Sequence, residues 1–303
     1  MSSNPYERKK DTIHIGVTQW PGFEYLFIAK KQGFFKKAGL DVELVELSSL
    51  SEVRRAFERD KIDGMAATLV EVLEAYKYSS QIAQPILVID YSEGADEILA
   101  VGNINSISEL KGKKIGVEAG SMSAYLVSTA LEIHNVKYSD VVIIPMKLHA
   151  LPKALKSGMV DAITSYAPVS VAIKKQLNVN VIFDSSEVPQ KLLDIIAINS
   201  KFLANNSELQ NKLIHAWELT LNFVDEYPDE SYSILTERMH ISTDDFKNSM
   251  KLIHLVSAEE QNIYFNKNGI INNNLLKTGE IVFMNLDNHE LDYSKFLLNE
   301  TIN

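Results

Sequence analysis

Two stretches of this chain show the same order of predicted strands and helices, and this internal repeat constrains the fold more than any other feature. Residues 13–68 begin with an apolar strand, IHIGVTQW, and continue as helix, strand, helix and short strand. Residues 113–166 repeat that order, from KKIGVEAG to VDAITSY, with a Gly-Val pair at the same place. A β-α-β-α-β unit requires parallel strands covered by helices. We predict a structural duplication, with chance similarity of two α/β units as the alternative.

The segments after each unit indicate where the chain passes between two lobes. Each contains two apolar runs around a turn-rich stretch, at 82–102 and again at 173–200. The sequence then becomes helical at 208–228 and 243–256, and a polar, Asn-rich tail starts at residue 266. Because 303 residues exceed one small core, two lobes of ordinary domain size are expected.

These patterns predict the domain limits. Lobe 1 is expected over 12–97, lobe 2 over 98–196, and a return to lobe 1 over 197–303. The C-terminal helices and the tail are expected to pack on lobe 1.

Composition excludes several classes of function. The net charge of −10, from 30 Lys and Arg against 40 Asp and Glu, argues against a nucleic-acid partner. The absence of Cys excludes thiol nucleophiles, disulfides and thiolate metal sites. No run approaches the roughly 20 apolar residues that span a bilayer. The start, MSSNPYERKK, lacks the apolar region of a secretory signal, which leaves a cytoplasmic protein or one whose leader was removed.

Several motifs carry a family resemblance over about residues 12–200. TQWPGFEYLFIAKKQGFFKKAGLDVELVE resembles the opening of the nitrate/sulfonate/taurine class of ABC-importer substrate-binding proteins, in which an aromatic loop precedes a K-x-G-F-F-x-x-x-G-L-x-V pattern. The resemblance continues through DGMAAT, DYSEGAD, ISELKGKKIGVEAGSMSAYL, SGMVDAITSYAP and FDSSEVP. It is specific for the class and not for the ligand, because relatives bind sulfonates, nitrate, thiamine-precursor pyrimidines and other small nitrogen compounds.

The resemblance implies a fold and a working context. The fold is α/β, a two-lobed type II periplasmic-binding-protein fold in which each lobe is a mostly parallel sheet covered by helices and the ligand cleft lies between them. The context is periplasmic or extracytoplasmic, with a leader absent from this sequence. The expected partners are a small-molecule ligand and, transiently, an ABC permease, and we expect a monomer.

Loops beyond the carboxyl ends of the strands are where ligands of open α/β sheets bind. These are the loops after residues 17, 66, 89, 117 and 164. In the first of them, Trp20 and Tyr25 offer flat faces for stacking a planar or cationic ligand. The alternative for Trp20 is a cap on the core of lobe 1. Phe23 is expected to be core.

Hydroxyl side chains follow other strands. Ser121 and Ser123 stand at a predicted helix start, where free backbone N–H groups bind ligand oxygens, although both residues are also ordinary N-cap types. Thr68 and Tyr166 come at matching strand ends in the two units. We expect all four side chains to line the cleft.

Acidic residues are concentrated in the same loops. DYSEGAD places Asp90, Tyr91 and Asp96 around a glycine turn, and one of the two aspartates is expected to contact the ligand. The sequence leaves open which. Asp194 interrupts an apolar strand, so it is either buried with a partner or facing the cleft. Glu118 lies in the loop after the first strand of the second unit.

Basic residues, by contrast, are missing from most of these loops. Segments without Lys or Arg are 17–29, 62–76, 78–110, 115–136 and 157–173. A site for a compact anion would ordinarily supply such a residue. The pattern favours a cationic or neutral amine, amidine or pyrimidine ligand; a sulfonate, taurine or nitrate is the alternative.

Enzymatic signatures are not found in this sequence. It has no H-E-x-x-H pair, G-x-S-x-G turn, P-loop or G-x-G-x-x-G. The thiamine-pyrimidine synthase of this fold is the one enzymatic relative to weigh, and its resemblance implies a Cys-rich iron-handling motif that a chain without Cys cannot supply. We therefore expect no catalysis, cofactor or metal. A ligand sensor that signals to a receptor is a further alternative.

Overall fold

The structure of the protein is a computed structural model that describes residues 12–266, 268–283 and 291–298. The N-terminal residues on which the leader expectation rests lie outside these ranges, as do parts of the polar tail. Within the described ranges the strands are β1 (Thr12–Val17), β2 (Asp41–Glu46), β3 (Gly64–Thr68), β4 (Ala83–Ser92), β5 (Glu97–Val101), β6 (Lys114–Val117), β7 (Val142–Pro145), β8 (Ala162–Ser165), β9 (Val179–Asp184), β10 (Leu193–Asn199) and β11 (Ile253–Leu255).

Helices cover both sheets. In the described ranges they are α1 (Glu24–Lys31), α2 (Phe34–Lys37), α3 (Leu50–Glu58), α4 (Leu69–Ser79), α5 (Met122–Ile133), α6 (Leu151–Lys156), α7 (Val169–Gln176), α8 (Ser200–Leu203), α9 (Leu209–Glu226), α10 (Pro228–Met239), α11 (Thr243–Met250), α12 (Gln261–Phe265) and α13 (Ile270–Val282). Every one of these helices is too short or too polar to cross a lipid bilayer.

Two separate sheets give the molecule its two lobes. The first has the strand order β11-β4-β10-β3-β1-β2 and the second the order β7-β6-β8-β5-β9. Within each repeated unit the strands pair in parallel, β1 with β2 and β3, and β6 with β7 and β8. The duplication that the sequence predicts is therefore present in the structure.

The matching glycines of the two units have the same physical cause. A Cβ on Gly16 would approach Ile62 Cδ1 to 2.5 Å, and one on Gly116 would approach Leu151 Cδ2 to 2.9 Å. Each glycine thus lets the first strand of its unit lie close to the layer that covers it. The Gly-Val pairs seen in the sequence mark these two close approaches.

The sheets are mixed and not mostly parallel, which differs from the expectation. β10 runs antiparallel to both β3 and β4, and β5 runs antiparallel to β8 and β9. The antiparallel strands come from the segments after each unit. In each sheet one of these strands, β10 or β5, opposes the direction of the unit strands, and the other, β4 or β9, runs in their direction.

The chain passes to the second sheet between Ser92 and Glu97 and returns between Asp184 and Leu193. The predicted return at residue 197 thus falls inside β10, all of which belongs to the first sheet. The helix predicted from Tyr25 is interrupted at Gly33, which adopts a φ of 71°. The helical stretch predicted over 243–256 is also shorter than expected, since it ends at Met250 and β11 then pairs with β4.

C-terminal helices pack on the first sheet's own helices. Trp217 of α9 lies 6.0 Å from Tyr25 of α1, measured between ring centroids, and Phe223 lies 5.8 Å from Phe34 of α2. Further on, Phe296 packs edge-on against Tyr76 of α4 at 5.4 Å. The C-terminal helices thereby cover α1 and α2, and the segment that ends with Phe296 packs on α4.

Candidate ligand-binding site

Two adjoining cavities lie between the lobes, beyond the carboxyl ends of the parallel strands. Each has a volume of about 10 Å³, room for roughly one water molecule, so the closed lobes nearly fill the site with their own side chains. They share Leu50, Asp96, Met122 and Tyr166 in their walls. Ligand pockets occur preferentially at the interfaces between domains, so this interlobe position makes the two cavities the candidate ligand site.

Aromatic side chains form one wall of the first cavity. Trp20 and Tyr166, from different lobes, meet edge to face with ring centroids 5.6 Å apart and an interplanar angle of 74°. The sequence predicted an exposed Trp20, but only 4% of its surface is accessible. It is both a cavity wall and part of the core, because the closed lobes and Tyr166 cover the face that the loop presents.

Asp90 fixes the position of that tryptophan. The Trp20 Nε1–H donates to both carboxylate oxygens of Asp90 at 3.2 Å. The loop can approach this closely because residue 22 is glycine: a Cβ there would lie 1.8 Å from Asp90 Oδ2. Asp90 lies at the end of β4, as predicted. Both of its carboxylate oxygens, however, accept a hydrogen bond from within the protein.

Asp194 is the second partner of Asp90. The two residues are register neighbours on β10 and β4, and both are buried. Burial raises the pKa of Asp90 to about 7, and burial together with the charge of Asp90 raises the pKa of Asp194 well above its usual range. A hydrogen bond between the two carboxyl groups requires a proton on one of them. Double ionisation of so close a buried pair is unfavourable, and Asp194 also lines the first cavity.

Asp96 is the carboxylate with free bonding capacity. It lies in the crossing segment just before β5, lines both cavities, and is only 3% exposed. Its Oδ1 is buried and has no hydrogen-bond partner among the described residues. Burial, with the added charges of Glu97 and Glu71, raises the pKa of Asp96 to about 7 against the opposing hydrogen bond from Ser92. The structure thus separates the two aspartates that the sequence could not.

The hydroxyls at the start of α5 are engaged in local bonds. Ser121 is the N-cap of α5, accepts from the Ser123 N–H at 3.3 Å, and donates to the Glu118 carbonyl at 2.9 Å. Ser123 Oγ accepts from the Glu118 N–H at 2.9 Å and is bonded to Thr164. All of these residues line the second cavity, so they shape its floor while serving as ordinary caps.

Thr68 has a similar double position. It is the N-cap of α4, and it forms a capping box with Glu71 while lining the first cavity. Its hydroxyl donates to Glu71 Oε2 at 2.6 Å and accepts from the Val70 N–H at 3.1 Å. Its bonding groups are therefore turned toward the helix start.

Three predicted site residues line neither cavity: Asp90, which lies behind Trp20, and the two tyrosines Tyr25 and Tyr91. Tyr25 is on the first turn of α1 and packs against Trp217, on the side of the C-terminal helices. Tyr91 follows Asp90 on β4 and therefore points to the opposite face of the strand, where it stacks on His254 with ring centroids 4.7 Å apart. The geometry does not bring either ring to the site.

Sequence reasoning missed five residues of the first cavity: Thr18, Phe23, Leu50, Met122 and Leu192. Phe23 was expected to be core, and it is also buried, at 1% exposure. Leu50 and Met122 each directly follow an N-cap serine. An apolar residue at the first helical position, where solvent exposure is usual, is a signal that could have been used for these two.

The charges that line the site are all negative. Asp96, Asp194 and Glu118 line the cavities, and neither wall contains Lys or Arg. The described residues also contain no group of three or more His, Asp or Glu side chains placed to hold a metal ion. A positive or donor-rich organic group would complement these walls.

Comparison with known proteins supports the fold. The periplasmic aliphatic sulphonate binding protein SsuA from Escherichia coli superimposes with a TM-score of 0.75 at 17% identity, covering 95% of this chain and 98% of that one. The expectation of a two-lobed periplasmic-binding-protein fold is thereby confirmed.

Curated proteins that are similar in sequence share about a quarter of their residues with this chain. A Brucella abortus (strain 2308) protein named as a candidate binding protein is 24% identical over 258 residues, which are 82% of this chain and 78% of that protein. The 4-amino-5-hydroxymethyl-2-methylpyrimidine phosphate synthase of Candida albicans (strain WO-1) is 22% identical over 245 residues, 72% of this chain and 68% of the synthase. The family model described as NMT1/THI5 like matches residues 20–231, so this chain belongs to the NMT1/THI5-like family.

Proposed function

We propose that this protein is the extracytoplasmic substrate-binding component of an ABC-type importer and captures a small organic ligand with a cationic or neutral nitrogen group. An amine, an amidine or a pyrimidine fits this description. The observation that carries the proposal is Asp96 Oδ1, a buried carboxylate oxygen without a partner that lines both interlobe cavities. Leaving such an atom unbonded costs about 1–3 kcal/mol or more for a charged group, and a ligand donor removes that cost.

The surrounding charges favour the same ligand. Closing the lobes places Asp96 and Asp194 in one small site with Glu118 beside them. Ionisation of more than one of these groups in so small a site is unfavourable, and a positive charge between them reverses the sign of that contribution. The rings of Trp20 and Tyr166 add a wall against which a planar or cationic group packs, contributing about 0.5–2 kcal/mol. In this assignment Asp96 contacts the ligand, and Asp90 positions Trp20 and Asp194.

Binding without turnover is the proposed activity. The names of the Brucella protein and the Escherichia coli structure describe binding proteins, and the extracytoplasmic location and the transient permease partner rest on the same kinship. The Candida relative is named as a synthase, which makes turnover the outcome to test. The resemblance to that enzyme implies Cys residues, and this chain has none.

A thermal-shift panel tests the proposal. Purified protein is heated at pH 8 with amines, amidines, aminopyrimidines, sulfonates and nitrate, since a ligand that binds only the folded state raises Tm by mass action. We expect stabilisation by a nitrogen-bearing compound, lost in Asp96→Asn and kept in Asp229→Asn, a matched change of an exposed aspartate. Mass spectrometry of the incubated ligand should show it unchanged.

Two results would overturn parts of the proposal. If a sulfonate or nitrate stabilises the protein, and Asp96→Asn does not reduce that effect, the proposed ligand class is wrong. The proposed binding function would still hold. Conversion of a panel compound to product by pure protein would replace binding with catalysis.

A further inference from the structure

One short segment of the second lobe forms hydrogen bonds with two helices of the first. We call residues 118–122, which connect β6 to α5, the docking segment. Ser51 Oγ of α3 donates to Glu118 Oε1 at 2.6 Å, and Arg54 Nε donates to the Gly120 carbonyl at 3.1 Å. Gly120 has a φ of +66°, and a Cβ there would approach Arg54 Nη2 to 3.3 Å. The segment is therefore shaped for close contact with α3.

The third bond to the docking segment comes from Glu71 of α4. The Met122 N–H donates to Glu71 Oε1 at 2.8 Å. The other oxygen, Oε2, accepts from the Thr68 N–H at 3.0 Å and from the Thr68 hydroxyl at 2.6 Å. One oxygen of this carboxylate thus binds the start of its own helix. The other oxygen binds the first turn of α5, in the opposite lobe.

The electrostatics favour this arrangement. Helix N-termini carry partial positive charge and unpaired N–H groups, so a carboxylate between two of them is stabilised by both. Burial raises the pKa of Glu71, and its bonds with Thr68 and Met122 oppose that rise. Glu71 is fully buried and is not part of either cavity wall. Glu71 itself therefore does not line the site, and it acts through Thr68 and Met122, which do.

We propose that Glu71 is a latch, a positioning residue that sets ligand affinity by stabilising the closed arrangement of the lobes through the docking segment. This inference rests on the proposed function, because it assigns a role in ligand capture. The Thr68 bonds lie within one lobe and persist when the lobes separate. The Met122 bond exists only when they meet, so Glu71 stabilises the closed state selectively.

Selective stabilisation of one state changes affinity without a ligand contact. The apparent Kd equals the intrinsic Kd divided by the fraction of molecules in the binding-competent state. Loss of the Met122 bond leaves a buried N–H unpaired in the closed state and lowers that fraction. Glu71 also raises the pKa of Asp96, so the closed fraction without ligand, and not the order of ligand affinities, is the measure of the latch.

Lobe closure can be measured directly because the chain has no Cys. Cysteines introduced by Lys61→Cys and Lys156→Cys, both at exposed positions on opposite lobes, carry a donor and an acceptor dye. Two variants each weaken a different hydrogen bond to the docking segment. In Glu71→Gln the amide nitrogen cannot accept a hydrogen bond. Ser51→Ala removes the bond to Glu118 and leaves Glu71 and its cap intact. Glu52→Gln on α3 is the matched control, since Glu52 is paired with Arg55 and makes no bond across the lobes.

Without any ligand, we expect a smaller closed fraction in Glu71→Gln and in Ser51→Ala than in the parent and in Glu52→Gln. With a compound that stabilises the parent at pH 8, we expect an apparent Kd about tenfold higher in Glu71→Gln. A closed fraction equal in all four proteins would overturn the latch. The ligand-free measurement does not depend on the ligand class, so it separates failure of the latch from failure of the proposed function.

Discussion

Trp20 donates its indole N–H to both carboxylate oxygens of Asp90 at 3.2 Å, so the aromatic wall of the site and its buried acid pair form one unit. Asp90 in turn is the register neighbour of Asp194, which reaches the first cavity. We therefore expect a substitution of Trp20 to affect Asp194 through Asp90, and a substitution of Asp194 to affect Trp20.

Replacement of Trp20 separates packing from hydrogen bonding. We expect Trp20→Ala to weaken ligand binding at least tenfold and to lower the free energy of unfolding by about 3–5 kcal/mol, since it empties a buried aromatic position. Trp20→Phe keeps a ring beside Tyr166 and removes only the N–H, so a smaller loss of both is expected. Calorimetric titration and chemical denaturation measure the two quantities. Equal losses in both variants would contradict the role given to the ring.

Gly22 tests the close approach of the loop to Asp90. A Cβ at this position lies 1.8 Å from Asp90 Oδ2, so Gly22→Ala should displace the loop and lower Tm. Asp90→Ala removes the obstructing oxygen. In the double variant the two effects should therefore not add, with a coupling of about 0.5–3 kcal/mol in chemical denaturation. Strict additivity would show that the loop avoids Asp90 in solution.

Stability of the ligand-free protein should fall as pH rises. The pKa of Asp96 is about 7 in the folded protein against 3.8 as its ordinary value, so the folded state binds its proton more tightly. The resulting stabilisation is complete below pH 3.8 and is lost as pH rises through 7; for this one group it amounts to about 4 kcal/mol at most. Tm should therefore decrease between pH 5 and pH 8, by less in Asp96→Asn than in the parent. The same slope in both would contradict the assignment.

Affinity for a cationic ligand should change with pH in the opposite direction. Ionised Asp96 binds a positive group better than protonated Asp96, so the Kd should decrease as pH rises from 6 to 8 for a ligand whose own charge is constant there. Protons released on binding can be counted by titration calorimetry in buffers of different ionisation enthalpy. Asp96→Asn should reduce the release. Binding without proton release in the parent would show that Asp96 is already ionised in the free protein.

Local patterns were enough to predict much of this protein. The repeated β-α-β-α-β units, the Gly-Val positions and the loops that surround the site follow from periodicity and turn residues, which depend on near neighbours in the chain. The concentration of Asp and Glu and the lack of Lys and Arg in those loops also carried over to the cavity walls.

Contacts between distant residues were decided only by the tertiary structure. Asp90 and Asp96 look alike in DYSEGAD, yet Trp20 and Asp194 occupy the first, and the second keeps a free oxygen. From the sequence, Glu71 is a charge in the first turn of a helix. In the structure, it accepts a hydrogen bond from the other lobe. Local periodicity specifies which face of a strand or helix a residue occupies. Which partner meets that face is set by the packing of two sheets, the first of which the chain leaves and later re-enters.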